Sequence, residues 1–433
     1  MLRILIGVFL VVVIVEGAIR KWILPEYSNE VFAVKDVILL LAFISYVGQR
    51  PVRMPKASDL AIWLFWALAV VVYAGIGGFS LVSLIGLRYY LAPLPLLLII
   101  PELIRNPEDL DRAAVWAVRL AIPIGILGVI QYFSPPDSRL NSYAWSTEEI
   151  GSTFGVEGGL TPDRPRVTGT FSYISTYASF LSVVWVLGWL SALHSARKFD
   201  RRLAGFTLIL VGFNMAMNGS RALLLVAAIS GLPFAIALIR QLGTFRTQFI
   251  FAAFLATVVY VGESIFEPFA LTADRGDAEE AATRVWGAVL TPYYTLSEID
   301  LVGQGIGTTF GGFEQLGYRV SLAFDEINLD RVGIELGVVG YVFVLGLKLM
   351  MLVKTFAVYT RERSARLRHW ALAALLIQLS TSWQIPIYNS IAAVFYFSAF
   401  GLVYWIQKEQ GKMATNRDPH RTTQQGVPLI ARQ

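Results

Sequence analysis

Residues 4–19 read Ile4-Leu-Ile-Gly-Val-Phe-Leu-Val-Val-Val-Ile-Val-Glu-Gly-Ala-Ile19, and Arg20-Lys21-Trp22 follow directly. A helix needs about 20 residues to cross the ~30 Å hydrocarbon core of a bilayer, and this run is of that order. Its place at the start of the chain would suit a cleaved leader. A lone Arg3 precedes it, however, no Ala-x-Ala site ends it, and a basic-aromatic flank closes it, so it is read as a retained membrane anchor.

Working outward, blocks of the same kind recur. The expected spans lie near 4–19, 31–48, 60–78, 81–100, 113–133, 171–193, 203–217, 221–239, 247–266, 332–353, 368–383 and 388–407. Of 433 residues, 55% are hydrophobic and 15% charged, too few charges to surface a soluble protein of this length. Lipid offers no partners to backbone N–H and C=O groups, so helices are the natural spanning element. The blocks are too long and continuous for the alternating ~10-residue strands of an outer-membrane barrel. The expected fold is therefore an all-α integral membrane protein of about twelve transmembrane helices. Residues 1–407 form the polytopic domain, and the polar segment 408–433 reads as a disordered tail.

Charge sets the expected orientation. Lys and Arg crowd alternate loops, as in Arg197, Lys198, Arg201 and Arg202, then Arg240 and Arg246, then Lys354, Arg361, Arg363, Arg366 and Arg368. Basic residues in short loops mark the cytoplasmic side, which puts both termini there. This placement accounts for the net charge of +5 without nucleic acid. Two long loops, about 134–170 and about 267–331, face the opposite, periplasmic side, and long loops carry function. Their basic residues are Arg139, Arg164, Arg166, Arg275, Arg284, Arg319 and Arg331, with no lysine. A guanidinium fork binds phosphate bidentately and stays charged at any relevant pH. Pairing with loop acids such as Glu148, Asp163, Glu279 and Asp325 is the other reading. Cysteine is absent, which excludes disulfides and thiolate metal sites, and no HExxH or nucleotide-binding motif occurs. The histidines, His194, His369 and His420, all fall on the cytoplasmic side, so proton transfer at the outer face falls to a carboxylate, a tyrosine or water.

Four segments carry candidate chemistry. In Arg164-Pro-Arg166-Val-Thr-Gly-Thr-Phe171, Gly169 and Thr170 suit a turn and helix cap, which sets Arg166 beside a helix N-terminus, an anion site or else an interfacial anchor. Asn218-Gly-Ser-Arg221 is a tight outward turn that starts another span with an arginine, again anchor or anion ligand. Thr283-Arg284-Val-Trp286, with Tyr293 and Tyr294 after it, suits a helix lying in the membrane interface. Asp325-Glu326-Ile-Asn328-Leu-Asp-Arg331 leads into Glu335-Leu-Gly337, where Asp325 or Glu326 could act as general base and Arg331 is positioned at i−4 to pair with Glu335. A structural polar network is the alternative for this last segment. The run Gly303–Gly312 reads as a pliant connector, Lys35-Asp36 as a possible buried pair, and Pro93 and Pro95 as a kink after Arg88.

The order of these motifs resembles the O-antigen ligase and polymerase superfamily: an arginine before Gly-Thr-Phe, a Ser-Arg at a later span start, then Arg-x-x-Trp, Gly-x-Gly-x-Gly and Glu-x-Gly-x-x-Gly. The likeness covers roughly residues 160–345 and leaves Glu16-Gly-Ala-Ile-Arg20-Lys-Trp22 outside it. It implies a GT-C-like glycosyltransferase at the periplasmic face of a bacterial inner membrane. The donor would be an undecaprenyl-diphosphate-linked glycan and the acceptor another glycan, with neither metal nor cofactor. A chain-length regulator or flippase would be a partner. It further implies that Arg166, Arg221 and Arg284 hold the diphosphate, with Arg164, Asp325, Arg331 and Glu335 around the substrate. Family ligases carry a histidine nine residues before the Glu of Glu-x-Gly; here that position is Glu326, a departure that favours a polymerase over ligation to lipid A core. A transporter or flippase of lipid-linked glycan is the reading from another class, though no internal repeat is evident.

Overall fold

A computed structural model describes residues 1–48, 57–76, 78–141, 164–242, 299–309, 328–382 and 390–417. The regular elements among these residues are all helices, with no strand. Helix α1 (Leu2–Ala18) runs through a π-helical turn (Ile19–Ile23) and a 3-10 turn (Pro25–Tyr27) into α2 (Ser28–Val47). There follow α3 (Ala57–Ile76), α4 (Leu81–Leu91), α5 (Pro95–Leu103), α6 (Pro107–Phe133), α7 (Ile174–His194), α8 (Lys198–Met217) and α9 (Arg221–Leu242). The last are α10 (Asn328–Arg361), α11 (Ala365–Ser382) and α12 (Ser390–Arg417).

Local chemistry sets several of these limits. At α6 the Asn106 side chain accepts from the Asp109 N–H, Pro107 fills the first turn, and Glu108 and Asp109 sit at the positive end of the helix dipole. At α4 the Ser80 hydroxyl caps the Ser83 N–H. Pro93 and Pro95 break the next span as anticipated, since neither can supply an N–H to the ladder, and α4 and α5 result.

Seven stretches are long and apolar enough to cross a membrane: Leu2–Ile23, Leu81–Leu103, Pro107–Phe133, Ile174–His194, Arg221–Gln241, Arg331–Arg361 and Ile391–Lys412. The chain is thus a multi-pass, α-helical membrane protein in composition and form. Helices α2, α3, α8 and α11 coincide with other expected spans but fall outside these seven; α8, for example, opens with Lys198, Asp200, Arg201 and Arg202. Even so, α2 and α3 turn Leu40, Ile44, Leu64 and Leu68 outward, apolar surface of the kind a membrane covers. The expected span at 247–266 lies outside the described residues.

Several boundaries differ from the sequence reading: α6 begins at Pro107 where 113 was expected, α8 at Lys198 where 203 was, and α10 runs to Arg361 where 353 was. Helix α7 begins at Ile174 rather than near 171, because the Thr170 hydroxyl bonds the Ile14 carbonyl instead of capping; the Thr176 hydroxyl accepts from the Tyr173 N–H at the true start. The segment expected to be disordered from 408 instead continues α12 to Arg417, where Lys412 bridges Glu409 one turn away; 418–433 lie outside the described residues.

Helix α7 is the axis of the bundle. Of its span 78% is buried, against 28% for α9 and 33% for α1, and it packs on α6, α8, α9, α11 and α12. Close approach comes from small residues: Gly125 and Gly128 of α6 admit Leu210 and Asn214 of α8. The Asn214 amide in turn donates to the Gly125 carbonyl and accepts from Tyr177 Oη.

The two ends of the bundle are chemically distinct. At the end carrying Met1, Arg3 donates to the Leu103 carbonyl, Arg366 bridges Glu108 and Asp111, Arg119 pairs with Asp200, and Lys408 lies 3.8 Å from Glu102. There His194 Nε2 also meets His369 Nδ1 at 3.1 Å. The other end carries Thr170, and the predicted site residues Arg164 and Arg166 lie on its segment.

Candidate functional site

At the Thr170 end the segment 164–173 is clamped from three sides. From the first, the π-helical turn after α1 delivers two cations. Lys21 Nζ donates to Thr168 Oγ1 (3.1 Å) and the Gly169 carbonyl (2.9 Å), and Arg20 reaches Ser28 Oγ (2.9 Å) and Ser172 Oγ (3.4 Å). Gly17 makes this possible, since a Cβ there would lie 2.5 Å from the Thr170 carbonyl oxygen. From the second side, Gln131 of α6 donates to the Gly169 carbonyl and accepts from the Gly169 N–H. Gly169 itself sits at φ +55°, against the Tyr177 ring, where a side chain would be strained.

The third side is the turn between α8 and α9. Arg166 Nε donates to the Asn218 carbonyl (2.8 Å), and the Asn218 amide donates to the carbonyls of Val167 and Ile174. Arg221, which opens α9, is three residues further on, so the segment of Arg166 and the turn that leads into Arg221 are in contact. Arg164 stacks its guanidinium over Tyr132 and Phe133, 5.2 and 5.4 Å from the ring centres. Arg284, Asp325 and Glu326 lie outside the described residues; Arg331 is described, on the first turn of α10.

Glu335 is fully buried two turns into α10. The sequence offers Arg331 as its partner. Hydrogen bonds also reach it from other elements: Tyr90 Oη of α4 (2.9 Å), Thr309 Oγ1 (2.7 Å) and the Thr309 N–H (3.1 Å). Thr309 is the last described residue of the glycine-rich run, and this changes the reading of the run to that point. Through residue 309 it is a docked backbone strip rather than a pliant connector. Gln304 and Gly305 N–H bond the carbonyls of Ile334 and Glu335, and the Val338 N–H bonds the Asp300 carbonyl. Gly337 breaks the helix locally at φ 66°, ψ −173°, and Gly303 and Gly337 meet so closely that a Cβ on either would lie 2.4 or 2.3 Å from the other's backbone nitrogen. On its other side the strip presses Gly307 on Gly86 of α4.

The sequence pointed to Lys35-Asp36 as a mutual pair, but neighbours along a helix diverge by ~100° and each finds its partner on a different element. Lys35 Nζ lies 2.7 and 2.6 Å from the two oxygens of Glu16, and Asp36 accepts from Arg88 Nε. Glu16, Arg20, Lys21 and Arg88 thereby join the polar groups of the Thr170 end, although the sequence reading set the first three outside the motif region and found no role for Arg88. The available signal was the charge itself: each is an ionisable residue in or beside an apolar span, which persists there only when paired or functional.

The end of the bundle so built is a polar layer, rich in arginine, sunk between the ends of apolar helices. Fixed guanidiniums at low dielectric suit the stabilisation of charge on phosphate oxygens. Among the described residues no three His, Cys, Asp or Glu side chains gather as a metal site. Compared with known proteins, the chain matches no family model and no curated sequence.

Proposed function

We propose that this protein transfers glycan from an undecaprenyl-diphosphate carrier to an acceptor sugar at the outer face of a bacterial inner membrane, most simply as a polysaccharide polymerase. In this reading the chain crosses the membrane twelve times in a GT-C-like arrangement, with both termini cytoplasmic and the Thr170 end outward. The observation that supports it is the contact of Arg166 with the Asn218 carbonyl, which sets the segment of Arg166 against the turn that leads into Arg221.

The chemistry follows from the leaving group. The bond between the donor's anomeric carbon and the phosphate oxygen breaks, and its electron pair leaves with the lipid diphosphate. Arg166, Arg221 and Arg284 offset the added negative charge. The acceptor hydroxyl oxygen bonds the anomeric carbon and its proton passes to a base, for which Glu326 is the choice from sequence.

Purified protein in nanodiscs, given a polyprenyl-diphosphate-linked oligosaccharide, should lengthen the glycan and release carrier diphosphate. No turnover with any such donor would overturn the proposal. In cells, gene deletion that leaves single repeats but no long chains marks a polymerase; free polymer retained on the carrier marks a ligase. One observation favours transport as the second reading: Lys348 of α10 faces, midway along the span, a crevice walled by Trp63, Trp66, Tyr90 and Tyr396.

A further inference from the structure

A second surface lies at the Met1 end, where α6 and α8 run side by side in the same direction. Two contacts set their register: Gly125 of α6 receives the Leu210 side chain, and Gly128 receives that of Asn214. Carried back along both helices at equal rise, this register sets Trp116 of α6 level with the first turn of α8. There Arg119 crosses the seam. Its Nη2 donates to Asp200 at 2.9 Å, and its guanidinium lies 5.6 Å from the Trp116 ring centre.

Each helix turns a row of side chains outward here. On α6 the row is Arg112, Trp116 and Leu120; on α8 it is Phe199, Arg202 and Phe206, and helical spacing puts each set on one face. The α8 row borders α6, because Leu210, one turn beyond Phe206, is the side chain that lies against Gly125. Trp116, Phe199 and Phe206 are 61, 67 and 51% exposed. Further along, both helices expose aliphatic residues, Ile126 and Ile130 on α6 and Ile209 on α8.

Charge gathers at the near end of these rows. Asp109 pairs with Arg112 and Asp200 with Arg119, while the exposed Lys198 and Arg202 have no ion pair among the described residues. Lys198 and Arg202 are one turn apart and so share a face. Surplus cations, then exposed aromatics, then exposed hydrocarbon is the order of a phospholipid followed from its phosphate through its glycerol esters to its acyl chains. Aromatic rings favour the headgroup level, and clustered cations beside a span attract anionic lipid. A water-soluble anion would leave the aromatic rows bare, and a lipid without net charge would leave the surplus cations unmatched.

We propose that the α6–α8 seam at the Met1 end binds an anionic phospholipid, its phosphate on Lys198 and Arg202 with Arg119 beside them, and its two chains along the rows of Trp116 and Phe199. The site lies at the opposite end of the bundle from segment 164–173, and it stands whether or not the protein transfers glycan. Each cation near a membrane surface contributes about a factor of five to such binding, so losing two should weaken it by about tenfold or more.

The test uses the full chain in phosphatidylcholine nanodiscs that carry a trace of phosphatidylglycerol with a diazirine in one acyl chain. Photolabel should concentrate on the peptides of α6 and α8 that contain Leu120 and Phe206. Unlabelled phosphatidylglycerol should compete, and added phosphatidylcholine or inorganic phosphate should not. The double variant K198Q/R202Q should cut labelling about tenfold. R361Q/R363Q, which removes two exposed arginines from another loop of the same end, should leave it unchanged. All four side chains are exposed, so both variants should melt with the parent; the competition arms need no variant at all. Label spread evenly over the bundle, competition by phosphatidylcholine or by free phosphate, full labelling of K198Q/R202Q, or equal loss in the two double variants would each overturn the assignment.

Discussion

Glu16 of α1 and Lys35 of α2 form a closed ion pair in the interior, the ammonium 2.7 and 2.6 Å from the two carboxylate oxygens and both side chains at most 5% exposed. It ties the helical hairpin whose connecting turn presents Arg20 and Lys21 to segment 168–172. Charge buried this way is stable only while both members are present.

E16Q and K35M should therefore each destabilise the protein by about 3–5 kcal/mol, whereas the E16L/K35M pair should recover most of the loss. Thermal unfolding of the detergent-solubilised variants measures this. Equal damage in the double variant would show that the pair is not what holds the hairpin.

The Gly303–Gly337 contact predicts a sharp asymmetry between glycines of one helix. G337A puts a methyl 2.3 Å from the Gly303 nitrogen at a positive φ, and should abolish accumulation of folded protein. G346A, with nothing within 4 Å of the added carbon, should fold as well as the parent or better by up to about 1 kcal/mol. Size-exclusion profiles of the two variants decide it.

Tyr90 and Thr309 keep the buried Glu335 carboxylate solvated by protein. Y90F should cost about 1–3 kcal/mol by leaving that acceptor short of a donor, with little change in volume. An unchanged melting temperature would mean that another group supplies the bond.

Topology follows from the alternation of basic loops. Reporters fused after residues 200 and 360 should read cytoplasmic and those after 150 and 300 periplasmic. A reversed reading at 150 or 300 would remove the Thr170 end from the outer face and with it the proposed transfer reaction.

In the transfer reaction, E326Q should lower turnover by about 10²–10⁴ while the protein stays folded in the membrane, the usual contribution of a general base. R166K and R221K should also lose much of the activity, because lysine lacks the bidentate fork. Wild-type turnover in E326Q with loss in D325N would move the base to Asp325.

The sequence by itself determined the helical membrane class and most helix limits. Those signals are local: the apolar run at 4–19 and the prolines at 93 and 95 act within a turn or two of themselves. It also singled out Arg166 and Arg221 by their places at span starts. The partners of Lys35 and Asp36 were decided by tertiary structure alone. On spacing each looked sufficient for the other, while the bonds found reach α1 and α4. Glu335 likewise gains bonds from Tyr90 and Thr309 that no spacing within α10 announces. Spacing along one helix says which residues share a face, but not which other helix will cover that face. The glycine-rich run shows the same limit: its composition announces freedom, and it is fixed through residue 309 because the absence of side chains lets its backbone bond directly to Ile334 and Glu335.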